Sequence, residues 1–337
     1  MKPKNRQPKP KPAAFCIRTD LALEAREMRG EAVIDGVEVS EEEFADGAVK
    51  VTWVEVVNRK GAKALGKPVG NYVTLESTAM KENDVDAHEE IAKILSQQLA
   101  RLHKLDAKAT ILVVGLGNWN VTPDALGPKV VSKVLVTRHI REFLPESLAD
   151  GVRAVSAISP GVMGLTGIET LEIVKGIAER IRPDLVIAVD ALAARKTSRI
   201  NATIQMSDTS VNPGAGVGNK RMKLDAENIG APVIVIGVPT VVDAATLVND
   251  TMECMLSQML ESAEKGSDFY QMLQNLAEEE RYSLITEILA PYSGNMFVTP
   301  KEVDAVIDRL SNIIANALNI ALHPGIGADD VNRYLYL

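Results

Sequence analysis

Two aspartates stand where chemistry could be done: Asp124, in the loop GLGNWNVTPDALGPK, and Asp190, directly behind the apolar run LVIAV. A carboxylate at the rim of a buried strand has lost water and needs a partner, because an unpaired buried charge is costly. If the two strands are neighbours, both carboxylates face one cleft, and like-charge repulsion raises the proton affinity of one of them. One then stays ionised as general base for a water while the other, protonated, donates to a carbonyl oxygen or a leaving amine. That division of labour hydrolyses an amide without a covalent intermediate. The same oxygens could instead bind a divalent metal, and a helix N-cap accounts for either aspartate alone as well as catalysis does.

Other chemistries find less support. Gly115-Leu116-Gly117 follows a strand, but the third glycine of a dinucleotide fingerprint falls on Asn120, and no acid lies about twenty positions on. A nucleotide-binding α/β module is therefore the weaker alternative. There is no G-x-S-x-G elbow and no H-E-x-x-H, and His88, His103, His139 and His323 read as surface residues. Cys254 lies in a helical stretch and is expected to pack there; Cys16 lies in the tail region. The glycine-rich stretch 213–221 (PGAGVGNKR) is long enough to grip an extended peptide backbone through Gly214, Gly216 and Gly218, with Lys220 and Arg221 available for acidic side chains.

The elements that must position these residues follow from hydrophobic patterning. Residues 110–114 (TILVV) form a continuous apolar run ending at glycine, as a buried parallel strand should. Residues 152–158, 185–189 and 233–236 repeat that logic, separated by stretches long enough for crossover helices. Helices are expected over 84–105, 167–181 and from Pro239 onward; residues 51–57 and 72–75 read as strands of an N-terminal segment. Thr299-Pro300-Lys301-Glu302 supplies start signals for a helix running to about Leu322. The expected fold is α/β, a doubly wound, mostly parallel sheet flanked by helices, with an N-terminal β-containing segment and a helical C-terminal third. Ligands of such sheets bind beyond the carboxyl ends of the strands, where both aspartates fall.

With 337 residues and 46% hydrophobic content the chain can bury a large core, and its net charge of -8 argues against direct nucleic-acid binding. Two widely separated cysteines indicate neither a disulfide framework nor a zinc ribbon, and a reducing compartment fits them. No secretion signal or membrane span is expected. The opening MKPKNRQPKPKP is basic and proline-rich, as an exposed, extended tail would be.

In eight blocks the sequence resembles the germination protease family of bacterial spore endopeptidases. They are RTDLALEA (18–25), GKPVGNYVTLES (66–77), VVGLGNWNVTPDALGPK (113–129), SPGVMGLTGIET (159–170), PDLVIAVDALAAR (183–195), NPGAGVGNKR (212–221), GVPTVVDA (237–244) and VTPKEVD (298–304). The resemblance implies that Asp124 and Asp190 are the catalytic pair and that small acid-soluble spore proteins are the substrates. It implies a homotetramer acting in the cytoplasm of the spore core, with no cofactor expected. The core also resembles that of the hydrogenase-maturation endopeptidases, whose equivalent acids bind a metal, so a divalent ion at Asp124 and Asp190 stays open.

The resemblance further implies a zymogen that removes its own propeptide, leaving a single peptidase domain over 21–337. The family prefers an acid before the cut, a large apolar residue after it and alanine next; Asp20-Leu21-Ala22 meets all three. Loss of residues 1–20 takes away six basic residues and one acid, moving the net charge five units further negative from -8. A basic arm across an acidic cleft is an inhibitor on electrostatic grounds. An acid is also favoured four residues before the cut, where Ile17 stands, which implies slow self-cleavage.

Overall fold

The computed structural model describes residues 19–28, 34–141, 151–211, 222–262, 267, 271, 284–285, 287–289 and 296–326. A nine-stranded mixed sheet organises them, in the order β1-β2-β3-β7-β10-β6-β4-β5, with a short β11 on β10. Its parallel half comprises β4 (Thr110–Gly115), β5 (Ala154–Ile158), β6 (Leu185–Ala194) and β10 (Val233–Asp243). Antiparallel strands extend it: β1 (Val37–Phe44), β2 (Val49–Val56), β3 (Gly70–Glu76) and β7 (Thr203–Ser207), with β11 (Phe297–Val298) at the end of β10, while β8 (Ser210–Val211) and β9 (Leu224–Asp225) pair apart from it.

Alternation along each strand sends side chains to two cores. Ile111 and Val113 of β4 with Leu185, Ile187 and Val189 of β6 join one cluster, which includes Leu95 and Leu99 of α3 (Val85–Leu102) and Leu310 and Ile314 of α9 (Val303–Leu322). Leu112, Val114, Val186 and Ala188 point the other way, towards Leu171 and Val174 of α6 (Thr170–Ile181), which follows the one-turn α5 (Met163–Thr166), and towards Ile229 of α7 (Ala226–Ile229). Helices therefore cover both faces of the parallel half, which bears out the doubly wound α/β expectation. On the antiparallel half the second face is covered instead by α1 (Ala22–Glu27) and α2 (Arg59–Leu65), whose Ala22, Ala25 and Leu65 pack with Val54, Val56 and Tyr72.

Several local expectations are corrected. No helix follows Asp190: ALAA continues β6 to Ala194, because β10 pairs with it as far as Val242. Pro239 likewise opens no helix. It lies within β10, at an irregularity of the β6–β10 register where a missing N–H is tolerated, and α8 (Ala244–Ser262) starts five residues later. The last helix begins at Val303, its N–H bonded to the Pro300 carbonyl, while the Thr299 hydroxyl is spent on the Thr240 carbonyl. Cys254 is exposed on α8, and His323 is fully buried rather than on the surface. Strands β1, β7 and β11 and the β8–β9 pair had no counterpart among the expected elements. Among the described residues no helix is long and apolar enough to cross a membrane.

Candidate active site

The strand β4 ends at Gly115, opposite Val189, and β6 runs on alone along that edge from Asp190 to Ala194. Asp190 is 3% exposed, and its Oδ1 accepts from the Ala191 N–H at 3.0 Å. Cross-strand register places Asp190 opposite Gly237 of β10, and Gly237 opposite Gln205 of β7. Paired residues share a face, so Asp190 and Gln205 look the same way, flanking a residue without a side chain. At about 4.8 Å per strand their backbones lie roughly 10 Å apart. Over this row opens a cleft lined by Asp190, Gly237, Gln205, Tyr72, Lys67 and Asp20 among others.

Asp124 reaches the same end of the sheet by a tight turn. Thr122–Asp124 is a single 3-10 turn resting against β6 and β10, anchored by the Thr240 hydroxyl on the Pro123 carbonyl at 2.7 Å. Gly117 makes the turn feasible. Its φ is +113°, and a Cβ there would sit 2.0 Å from the Asp124 carbonyl oxygen. The N-cap position of α4 (Leu126–Val131) is Ala125 rather than Asp124, and Asp190 lies inside β6.

The segment from Thr19 to Glu27 lies in this cleft and beside it. Asp20 meets the free edge of β6: its Oδ2 accepts from the Ala193 N–H at 3.0 Å, and its N–H approaches the Ala193 carbonyl at 3.5 Å. Two residues on, the Ala22 N–H donates to Gln205 Oε1 at 2.6 Å. Residues 20–22 thus span from β6 to β7 across the intervening β10. Leu21 and Ala22 are fully buried. The Asp20 carbonyl accepts from Lys67 Nζ at 2.8 Å and from Gln205 Nε2 at 3.3 Å. Burial pushes the Lys67 ammonium below its ordinary range, against the pull of the Asp20 and Glu24 carboxylates. The Tyr72 hydroxyl, pushed up to about 12 by burial, stays protonated and donates to the Pro68 carbonyl next to Lys67.

Behind this segment α1 is held by charge. Glu24 is fully buried, accepts from the N–H groups of Arg195 (2.8 Å) and Lys196 (3.0 Å), and takes a further hydrogen bond from the Thr19 hydroxyl. Arg199 lies between Glu24, Glu27 and Glu76 at 3.5, 2.6 and 2.9 Å. Burial would raise the Glu27 carboxyl, but hydrogen bonds from Arg199 and Lys196 outweigh it and bring it to about 2.

Asp124, Asp190, Asp20 and Leu21 are therefore brought to one end of the sheet, while Gly214, Gly216, Gly218, Lys220 and Arg221 lie outside the described residues. Sequence reasoning passed over Lys67, Gln205, Glu24 and Arg199. A signal existed for Gln205: it stands between Ile204 and Met206 in a short apolar strand, so its side chain must point to the opposite face. Among the described residues no group of three or more His, Cys, Asp or Glu is gathered as a metal site. Asp124 and Asp190 by themselves offer two carboxylates, fewer ligands than a dedicated metal site provides.

Comparison with known proteins defines the class: on this α/β scaffold the chain is a protease, a hydrolase of peptide bonds. The profile described as germination protease matches residues 18–266 and 257–335. The chain is 50% identical to the germination protease of Caldanaerobacter subterraneus subsp. tengcongensis over 95% of this chain and 98% of that one. It is 50% identical to that of Clostridium tetani (95% and 99% covered) and 43% identical to that of Bacillus pumilus (96% and 97% covered). The chain belongs to the germination protease family.

Proposed function

We propose that this protease is an endopeptidase that initiates degradation of small acid-soluble spore proteins during spore germination. It is made as a zymogen and cuts its own Asp20–Leu21 bond, with Asp124 and Asp190 as the catalytic pair. It acts in the cytoplasm of the spore core as a homotetramer. The observation that carries the reading is Asp20 lining the same cleft as Asp190, its carbonyl held there by Lys67 and Gln205.

Each part of the specificity has a counterpart in that geometry. The acid before the cut meets the Ala193 N–H, a neutral donor that serves Asp and Glu alike. The large apolar residue after it is fully enclosed, and the alanine next packs against Val54 and Tyr72, where a longer side chain would overpack. Water attacks the carbonyl carbon with one aspartate taking its proton; the other, protonated, donates to the departing nitrogen. The products are the Asp20 carboxylate and a free amino group on Leu21.

The test is N-terminal sequencing after incubation under mildly acidic conditions, wild type beside Asp190→Asn and Asp124→Asn. Wild type gains a terminus at Leu21, and each variant keeps its melting temperature while losing roughly 10³-fold or more in rate, as expected for an essential acid or base acting with its partner. Full processing by either variant refutes the aspartate pair. Unchanged processing in chelator separates this reading from a metal-dependent one.

A further inference from the structure

We propose that Lys67 and Gln205 form the oxyanion-stabilising pair of this protease, binding the carbonyl oxygen of the bond to be cut. The inference rests on the proposed cleavage of Asp20–Leu21 and deepens it: the aspartate pair moves protons, but nothing assigned to it receives the charge that develops on oxygen.

When water adds to the Asp20 carbonyl carbon, the C=O π electrons move onto oxygen and return when the bond to the Leu21 nitrogen breaks. Donors already aimed at that oxygen lower the barrier because they need no reorganisation during the reaction. Two such donors are present, Lys67 Nζ at 2.8 Å and Gln205 Nε2 at 3.3 Å. Lys67 also donates to the Thr19 carbonyl at 3.1 Å. The ammonium supplies a full charge; the amide supplies direction.

Gln205 does a second thing with the same side chain. Its Oε1 accepts the Ala22 N–H while its Nε2 holds the Asp20 carbonyl, so one planar amide grips the backbone on both sides of the Asp20–Leu21 bond. Every contact in this grip is to main-chain atoms, so it suits any unfolded peptide laid in the same register. Its position follows from the sheet. Gln205 and Asp190 flank Gly237 on one face, and a Cβ on Gly237 would press within 2.4 Å of the Leu192 side chain that lines the same cleft. Lys67 is delivered by the turn after α2, whose Pro68 carbonyl is tied down by Tyr72.

The experiment uses the full chain carrying Lys67→Met, Lys67→Gln, Gln205→Leu or Gln205→Glu. Two readouts are taken: the rate at which a Leu21 terminus appears in mild acid, and kcat and KM on an unfolded peptide containing Glu-Leu-Ala. Removing one such donor is expected to lower kcat about 100-fold or more at Lys67 with KM changed by only a few-fold. At Gln205 the loss is split, with Gln205→Glu, which keeps the acceptor for the residue-22 N–H, retaining KM better than Gln205→Leu. Melting temperatures within a few degrees of wild type identify variants that fold, and a folded variant at either position suffices. Wild-type kcat in folded Lys67 and Gln205 variants overturns the proposal and leaves the function intact, and so does a raised KM with kcat unchanged. Wild type that neither exposes Leu21 nor cuts the peptide overturns both.

Discussion

At the scale of single residues, the buried charges around α1 are the most exposed to test. Arg199 is shared by three carboxylates, one of them fully buried, so Arg199→Met strands Glu24 without its cation. Removing one partner of a buried pair costs about 3–5 kcal/mol, and chemical denaturation of the unprocessed chain should show a loss of that order. Glu27 adds a pH signature. Its carboxyl titrates lower in the folded chain than in the unfolded one, so its stabilisation is present above the ordinary carboxylate range and fades as pH falls towards about 2. Glu27→Gln should therefore cost as much at pH 5.5 as at pH 7, with the difference from wild type shrinking only below about pH 4. Mild acid leaves this clamp on α1 closed.

His323 behaves oppositely in mild acid. It is fully buried, bonded to the Leu135 carbonyl at 3.1 Å, and Nδ1 has no hydrogen-bond partner among the described residues. Burial, with Arg153 nearby, holds its pKa below the ordinary histidine value despite the Leu135 bond. The neutral ring is the folded form, so its contribution is complete above about pH 6.5 and is lost as pH falls through the lower folded value. Melting curves of His323→Gln, which cannot titrate, should be flatter than wild type between pH 7 and pH 5.

At the scale of elements, the turn that carries Asp124 depends on two glycines. Gly117→Ala forces a side chain into a positive φ and into the Asp124 carbonyl. Gly127, in the first turn of α4, lies so close to the sheet that a Cβ would meet the Leu116 and Val189 carbonyls at 2.3 and 2.5 Å. Either substitution to alanine should cost about 1–3 kcal/mol and lower kcat as well, because the turn and α4 cannot both keep their places. Unchanged peptide cleavage by a folded Gly117→Ala protein would show that the placement of Asp124 is not needed.

At the scale of the whole molecule, α8 leaves an apolar stripe uncovered. Val248, Met252, Met255 and Met259 recur at helical spacing and are each more than a third exposed. Such a face suits an interface between copies in the proposed tetramer. Sedimentation should give about four times 36.4 kDa for wild type, and Met255→Glu should shift the protein to smaller species by placing a charge in that seam.

The amino-acid sequence by itself determined the parallel half of the sheet and set Asp124 in the loop behind its first strand, while Asp20-Leu21-Ala22 drew attention only through the family resemblance. The strands and the loop follow from local signals: apolar runs of strand length and a glycine after a strand. Element ends were less legible. The stretch after Asp190 and the one after Pro239 hold alanines, valines and leucines that suit helix or strand, and only the β6–β10 ladder decides between them. Lys67, Gln205, Glu24 and Arg199 became site residues only in the tertiary structure. Gln205 lies 183 positions from Ala22 and Lys67 lies 47 from Asp20, and no periodicity in a chain reports contacts over such separations. The sheet register supplies them, by setting Asp190, Gly237 and Gln205 in one row.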